Sequence, residues 1–284
     1  LHLGRAVVEQ LTLQVEGTPV VVDIHKARRP KGGVLLVHGF NSCVKEFGDL
    51  PADLASAGFT AIAMDLRGHG RSGGERGLID LQRAGRDIDA GLDELRRRLR
   101  KKPLAVIGHS LGAALVLGHA SRTPRAAALV LAHPVDRLFD ELGPAEALGY
   151  HVLGRLGRRR RHKGRPAGMF PRKPNYHELF MDDAAAIRAA QDGFLAPEVN
   201  MGNYTFATTM QAADWARRVR VPVLAITSPH DKTVKPAHSE AVIAGLGGPV
   251  EHCTHNGGHS CWRDRDGGHV SQAVVAFLRR NLEA

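Results

Sequence analysis

Leu104-Ala105-Val106-Ile107 is a short apolar run that passes directly into Gly108-His109-Ser110-Leu111-Gly112, and Ala113-Ala114-Leu115-Val116-Leu117 follows. Four apolar residues ending at a glycine read as a buried strand, and the segment after the second glycine has a helical composition. The whole is Gly-x-Ser-x-Gly at a strand-to-helix turn, the context in which that pattern carries meaning. So sharp a turn needs neighbours without bulky side chains, because the backbone must approach the following helix closely. It lifts Ser110 Oγ into a cleft and leaves the free N–H groups of a helix N-terminus behind it, where a developing anion is stabilised. The competing reading is a chance Gly-Ser turn in a chain with 32 glycines; the strand before and the helix after argue against it.

Outward from this turn, short apolar runs alternate with longer helical patterns. Val20–Ile24, Val34–Val37, Ala61–Met64, Ala127–Leu131, Val223–Ile226 and Val250–Cys253 read as further strands. Leu81, Ala84, Ile88, Leu92, Leu95 and Leu99 recur at three- and four-residue steps, one face of an amphipathic helix. Helical patterns also fit Phe47–Ala57, Ser110–Ala120, His238–Ala244 and Val270–Leu282. The alternation predicts an α/β protein with a mostly parallel sheet covered on both faces, preceded by an antiparallel lead-in before Val34. It fails between about Pro134 and Asp214, a stretch rich in Pro, Gly and Arg with shorter helical patterns such as Met181–Gln191. A structureless loop of that length is improbable in a compact domain. The expected organisation is therefore a core over 1–133, a mainly helical cap inserted at 134–214, and the rest of the core over 215–284.

A serine hydroxyl becomes a nucleophile only beside a base, and the chain holds 16 histidines. His259 follows Gly257-Gly258 on the loop after Val250–Cys253 and is the favoured base, with His255 its nearest rival. His252 belongs to the strand itself, and His269 falls near the start of the last helix. The orienting acid should come from another strand end, where it accepts the base's second N–H. Asp231, in Ser228-Pro229-His230-Asp231 after Val223–Ile226, fits; Asp136 after Ala127–Leu131 is the alternative. Ser110, Asp231 and His259 stand in the chain order expected for this sheet type. Acyl transfer also needs two N–H groups aimed at the carbonyl oxygen, and the amides of Phe40 and Leu111 are the candidates. His38 reads as a structural hydrogen-bonder, and Asp65–Ser72 as a loop-fixing segment without chemistry of its own.

The chain of 284 residues carries 39 Lys+Arg against 29 Asp+Glu, a formal charge of +10. The excess is local: residues 147–177 contain nine basic residues and no acid, and without them the counts are 30 and 29. A uniformly basic protein would suggest nucleic acid; one basic segment on a neutral body does not. Its densest part, Arg155–Arg165, also lacks interleaved aromatic residues for base stacking, so no nucleic acid is expected. No continuous apolar run is long enough for a transmembrane helix. Residues 1–17 alternate apolar and polar and show no signal-peptide pattern, although Leu1 in place of Met leaves a trimmed leader open. Cys43, Cys253 and Cys261 are odd in number and have no metal-ligand spacing, so neither a disulfide framework nor a metal site is expected and a reducing cytoplasm is the default.

His38-Gly39-Phe40, Asp65–Ser72, Gly108–Gly112, Pro229-His230-Asp231 and Gly257-Gly258-His259 together resemble the capped serine hydrolases of the α/β-hydrolase superfamily. Within it they are similar to the group of monoacylglycerol lipases, lysophospholipases and serine aminopeptidase-type esterases. The resemblance implies an eight-stranded sheet, a lid over the active site, and hydrolysis through an acyl-enzyme without a cofactor. It implies Ser110 as nucleophile, His259 as base, Asp231 as acid, and Phe40 and Leu111 as oxyanion donors. Relatives that cleave carbon–halogen or epoxide bonds are disfavoured, since they carry Asp where Ser110 stands. Two features depart from the group. Ser260-Cys261-Trp262 follows the expected base in place of small apolar or acidic neighbours, and the Arg-rich run 155–165 is unlike an apolar lid.

The expected substrate is a small-molecule carboxylic ester, lipid-like or another acyl ester. The run 155–165 reads either as a solvated loop or as a docking surface in which Arg158, Arg159, Arg160 and Arg161 take an anionic head group, coenzyme A or an acidic carrier protein. Thioesterase or acyltransferase activity on carrier-bound acyl chains is the alternative within enzymes. A non-catalytic ligand-binding relative is the alternative outside them.

Overall fold

The computed structural model describes residues 8–137, 144–203 and 210–283. Residues 1–7 of the N-terminal alternating segment, and 138–143 and 204–209 of the expected cap, lie outside the described residues. The first strands are β1 (Val8–Val15), β2 (Thr18–His25) and β3 (Gly32–Val37), followed by α1 (Leu50–Ser56), β4 (Phe59–Met64), α2 (Leu81–Leu99), β5 (Leu104–His109), α3 (Leu111–Ala120) and β6 (Ala128–Ala132). Then come α4 (Pro144–His162), β7 (Met169–Pro171), α5 (Asp183–Asp192), β8 (Glu198–Asn200) and α6 (Ala212–Ala216). The chain closes with β9 (Val223–Thr227), α7 (Pro236–Gly245), β10 (Val250–Thr254) and α8 (Gly267–Leu282).

Eight strands form one sheet in the order β1-β2-β4-β3-β5-β6-β9-β10. β1 and β2 are antiparallel to each other, β2 is antiparallel to β4, and every later pairing is parallel. The mostly parallel sheet with an antiparallel lead-in is the one the alternation predicts, and its eight strands are the number the family resemblance implies.

Side chains alternate between the two faces along each strand, and both faces are apolar. Leu35, Val37, Ile62, Met64 and Val106 pack with Ala84, Ile88 and Leu92 of α2 and with α3 on one side. Val34, Leu36, Ala61, Ala63 and Ile107 pack with Leu50 and Leu54 of α1 and Val274, Phe277 and Leu278 of α8 on the other. Each fully buried Val, Leu, Ile or Phe contributes roughly 1.5–3 kcal/mol. The two-sided core thereby makes the strand ends a rigid platform from which the functional loops project.

Residues 144–203 depart from the strand–helix alternation. β7, after α4, pairs antiparallel with β8, after α5, so that α5 lies between the two strands of the ribbon, and Tyr176, Phe180, Ala185, Ala186, Ala189 and Phe194 form a small core of their own. The basic run is not a loop: Arg155 and Arg158–Arg161 stand in the last two turns of α4. Arg is a good helix former, and cations near a helix C-terminus are favoured by its dipole, so the charge supports the helix. The helix turns Gly154 and Gly157 inward, while Leu148, Val152 and Leu156 are exposed.

Candidate active site

Ser110 stands between β5 and α3 with φ +53° and ψ −120°, a strained backbone for a residue with a side chain. The flanking glycines explain how the turn closes. A Cβ on Gly112 would lie 2.2 Å from Val37 O, and one on Gly108 would lie 2.6 Å from Ala113 Cα. Ser110 N donates to Ala132 O at 2.8 Å, tying the turn to the end of β6. Among the described residues, the amides of Phe40 and Leu111 donate no hydrogen bond to any protein group.

The loop after β10 brings His259 to the same place. Ser110, His259, Gly39 and Phe40 all line one cavity of about 320 Å³. His259 Nδ1 lies 2.7 Å from Asp231 Oδ2, across from the loop after β9. Asp231 Oδ1 accepts from the amides of Thr233 and Val234 at 2.8 and 2.9 Å. Burial alone would push this carboxyl up. The His259 charge and the imidazole contacts of His133 and His259 override it and hold Asp231 far below the usual carboxylate range. The alternative acid, Asp136, is spent elsewhere: its Oδ1 accepts from Ala213 N at 2.8 Å. The rival base, His255, faces away from Ser110's cavity and meets His133, Nε2 to Nε2 at 3.0 Å. His252 lies in β10 beside Thr227, and His269 lies in α8.

His38 behaves as a structural residue. Its Nε2 accepts from Leu66 N at 3.1 Å, so its proton is on Nδ1, which donates to Gly39 O at 2.8 Å. Asp65–Ser72 likewise fixes loops. Asp65 accepts from Val44 N and from Arg71, and Ser72 Oγ donates to Asp65 O while accepting from Val21 N.

Several residues of the site are not apparent from sequence. Glu46, 3% exposed, accepts from Gly39 N at 2.9 Å and lies 2.9 Å from His109 Nδ1. His109 Nε2 donates to His259 O at 2.8 Å. Burial works against both charges, yet each partner's charge prevails: Glu46 is held below its ordinary value and His109 above its own. Asp264 accepts from the amides of Gly258, Met181 and Asp182, clamping the loop of His259 to residues 181 and 182. Ser260-Cys261-Trp262 also gains a structural reason. Ser260 N donates to Leu179 O, and Cys261 and Trp262 are buried in the core, Trp262 beside Phe47.

The arginines expected to receive an anion do not line the cavity. Arg160 Nε donates to Pro166 O at 3.0 Å, and Arg161 lies 3.5 Å from Glu75. The cations in the cavity wall are Arg172 and Lys173, which sequence reasoning passed over because they stand seven and eight residues beyond the densest run. Neither side chain has a hydrogen-bond or ion-pair partner among the described residues, whereas Glu178 across the cavity accepts from Asn175. A second cavity, of about 500 Å³, shares the wall of Asn41 and Phe194–Ala196 but contains neither Ser110 nor His259.

His133, Asp231 and His259, and His133, His255 and Cys261, bring donor atoms close enough for a metal ion. The histidine nitrogens and carboxylate oxygen that meet there are engaged with one another, so an ion would have to break the Asp231–His259 contact or its neighbours. The three cysteines are free thiols. No helix among the described residues is long and apolar enough to cross a membrane.

The chain is similar to the monoacylglycerol lipase of Mycolicibacterium smegmatis, 32% identical over 145 residues that cover 50% of this chain and 52% of the relative. This chain thus spans about half the length of that relative. It is also similar to the polyketide transferase ATR5 of Stachybotrys chlorohalonatus, 27% identical over 279 residues covering 88% of this chain and 89% of the other. Among solved structures, the monoacylglycerol lipase of Paleococcus ferrophilus superposes with a TM-score of 0.76 at 22% identity, over 97% of this chain and 99% of that one, a likeness of fold. The model of the serine aminopeptidase S33 family matches residues 28–266. With that match spanning most of the chain, and with the eight-stranded sheet and strand-end loops in place, the protein belongs to the serine aminopeptidase S33 family of α/β-hydrolases.

Proposed function

We propose that this protein cleaves a carboxylic ester through an acyl-enzyme on Ser110. The observation that carries the reading is the Asp231 Oδ2–His259 Nδ1 contact of 2.7 Å, with His259 and Ser110 lining the same cavity. Asp231 holds the imidazole in the tautomer whose Nε2 is free to take a proton. Ser110 Oγ attacks the ester carbonyl as His259 accepts the hydroxyl proton. The tetrahedral oxyanion is held by the unspent amides of Phe40 and Leu111. His259 then gives its proton to the leaving alcohol, and water repeats the sequence to release the acid.

Residues 134–214 act as the cap in this reading, with Leu179, Phe194 and Leu195 supplying the apolar part of the cavity. Arg172 and Lys173, without a side-chain partner among the described residues of the cavity wall, favour a substrate that carries an anionic group, which moves the expected docking role away from Arg158–Arg161. Transfer of an acyl chain from a thioester is the second reading, favoured by the near full-length alignment with a protein named a polyketide transferase.

Labelling with a fluorophosphonate tests the nucleophile. An adduct on Ser110 that is absent from Ser110→Ala is expected, together with a pre-steady-state burst on an aryl ester. Absence of the adduct in folded protein would overturn the assignment and leave the non-catalytic reading. Parallel rates on p-nitrophenyl esters, monoacylglycerols and acyl thioesters decide between ester and thioester.

A further inference from the structure

Behind the site lies a chain of imidazoles for which the proposed chemistry has no use. Gly257 N donates to His255 Nδ1 at 3.1 Å. A neutral ring nitrogen that accepts carries no proton, so His255 is protonated on Nε2 and donates from there to His133 Nε2 at 3.0 Å. His133 Nε2 is then also an acceptor, its proton sits on Nδ1, and Nδ1 lies 2.7 Å from Asp231 Oδ2. Each direction follows from the one before it, starting at an amide that can only donate. Both rings are 1% exposed, and burial lowers the basicity of both, His133 to about 3, which keeps them neutral as the chain requires.

The chain closes on the catalytic loops. Gly257 stands two residues before His259, and its carbonyl accepts from Ser228 Oγ at 2.6 Å, three residues before Asp231. Asp231 Oδ2 therefore receives two imidazole contacts, from His133 on the turn after β6 and from His259 on the loop after β10. His133 adopts φ +48° to make its contact, a conformation that few side chains tolerate. The remaining titratable groups that face this assembly are His109 at the end of β5, Cys261 and Asp264 on the His259 loop, and Asp266 and His269 at the start of α8.

We propose that His133 and His255 are positioning residues, a two-imidazole relay that aims Asp231 at His259 and shares the carboxylate's charge between two N–H donors. This rests on the reading of Ser110, His259 and Asp231 given above. A carboxylate oxygen that accepts from His259 alone would turn its whole pull on that ring; sharing Oδ2 divides the pull between the two imidazoles while keeping His259 oriented.

The test uses the full chain, with His255→Leu and His133→Asn as variants. Leucine at 255 removes the donor to His133 Nε2 and leaves that ring held by Asp231 alone. Asparagine tolerates positive φ, and its Nδ2 stands near the position of the imidazole Nδ1, so it keeps a donor to Asp231 while cutting the relay. In His255→Leu, kcat is expected to fall about fivefold, the size of one lost hydrogen bond between neutral groups, with KM nearly unchanged. The acid limb of its kcat/KM profile should move about half a pH unit or more upward. His133→Asn should keep the limb near its wild-type position. Long-range 1H–15N spectra of histidine-labelled wild type should show a bare Nε2 on His133 and a bare Nδ1 on His255. The opposite tautomers, or a folded His255→Leu with wild-type kcat and limb, would overturn the proposal. Should His255→Leu not fold, the wild-type spectra and the His133→Asn profile decide. Failure of fluorophosphonate to label Ser110 would sink the catalytic reading while leaving the tautomers measurable.

Discussion

Replacing Glu46 by glutamine probes the most heavily buried charge pair under the proposed active site. Glu46 lies in the 3-10 turn Val44–Phe47, 2.9 Å from His109 Nδ1, and both side chains are 3% exposed. At that separation and an effective dielectric constant near 20, the Coulomb attraction is about 6 kcal/mol, opposed by the desolvation of both groups. Leaving one member of a buried pair without the other costs about 3–5 kcal/mol. That is a large fraction of the roughly 5–15 kcal/mol that holds a domain folded. Glutamine retains an acceptor for Gly39 N, so the loss reports the charge and not the loop's hydrogen bond.

The pH dependence has a definite sign. The basicity of His109 is raised by folding, so its contribution is complete below the ordinary histidine value of 6.5 and disappears as pH climbs through the folded value. Glu46 is depressed, so its contribution is complete above 4.5 and disappears as pH falls through its folded value. Urea denaturation followed by the fluorescence of the two tryptophans should therefore show the greatest gap between wild type and Glu46→Gln from about pH 4.5 to 6.5. The gap should narrow in alkali, and adding His109→Gln should restore part of the lost stability. A loss under about 1 kcal/mol, or one that does not change with pH, would refute the reasoning.

Gly112→Ala should destabilise the fold by about 2 kcal/mol or more and abolish fluorophosphonate labelling, because its Cβ would lie 2.2 Å from Val37 O; a variant with normal melting temperature and labelling would contradict this. Asp264→Ala should leave the buried amide of Gly258 without an acceptor and free residues 181 and 182, lowering kcat and speeding limited proteolysis between residues 144 and 203. Arg172→Gln with Lys173→Gln should raise KM about tenfold for an ester bearing a carboxylate or phosphate and leave a neutral isostere unchanged, whereas neutralising Arg158–Arg161 should alter neither; the reverse ranking would return the docking role to α4.

Much of this protein is legible before folding because the relevant constraints are local. Two-sided burial writes a parallel strand as a continuous apolar run, as in Val34–Val37, and the amphipathic spacing of Leu81–Leu99 marks a helix packed on the sheet. The turn at Ser110 can close only where glycines stand at 108 and 112, so its signature is written in adjacent letters. The helix of the basic run is harder to see, since α4 packs through Gly154 and Gly157 and turns Leu148, Val152 and Leu156 outward, the reverse of the usual periodic signal.

Taken alone, the sequence determined the sheet, the strand-end loops and the short set of residues from which a nucleophile, base and acid could be drawn. It left His255 beside His259 and Asp136 beside Asp231 as alternatives. Only the tertiary structure shows their partners, His255 against His133, Asp136 on Ala213 N, and His259 against Asp231. It also placed Glu46, Asp264 and His133 in contact with the loops and side chains of the candidate site, and Arg172 and Lys173 in its wall. The physical reason is range. Backbone turns and hydrophobic periodicity act over a few neighbouring residues, whereas the partner of a buried polar group is chosen by whichever strand ends the sheet order places side by side.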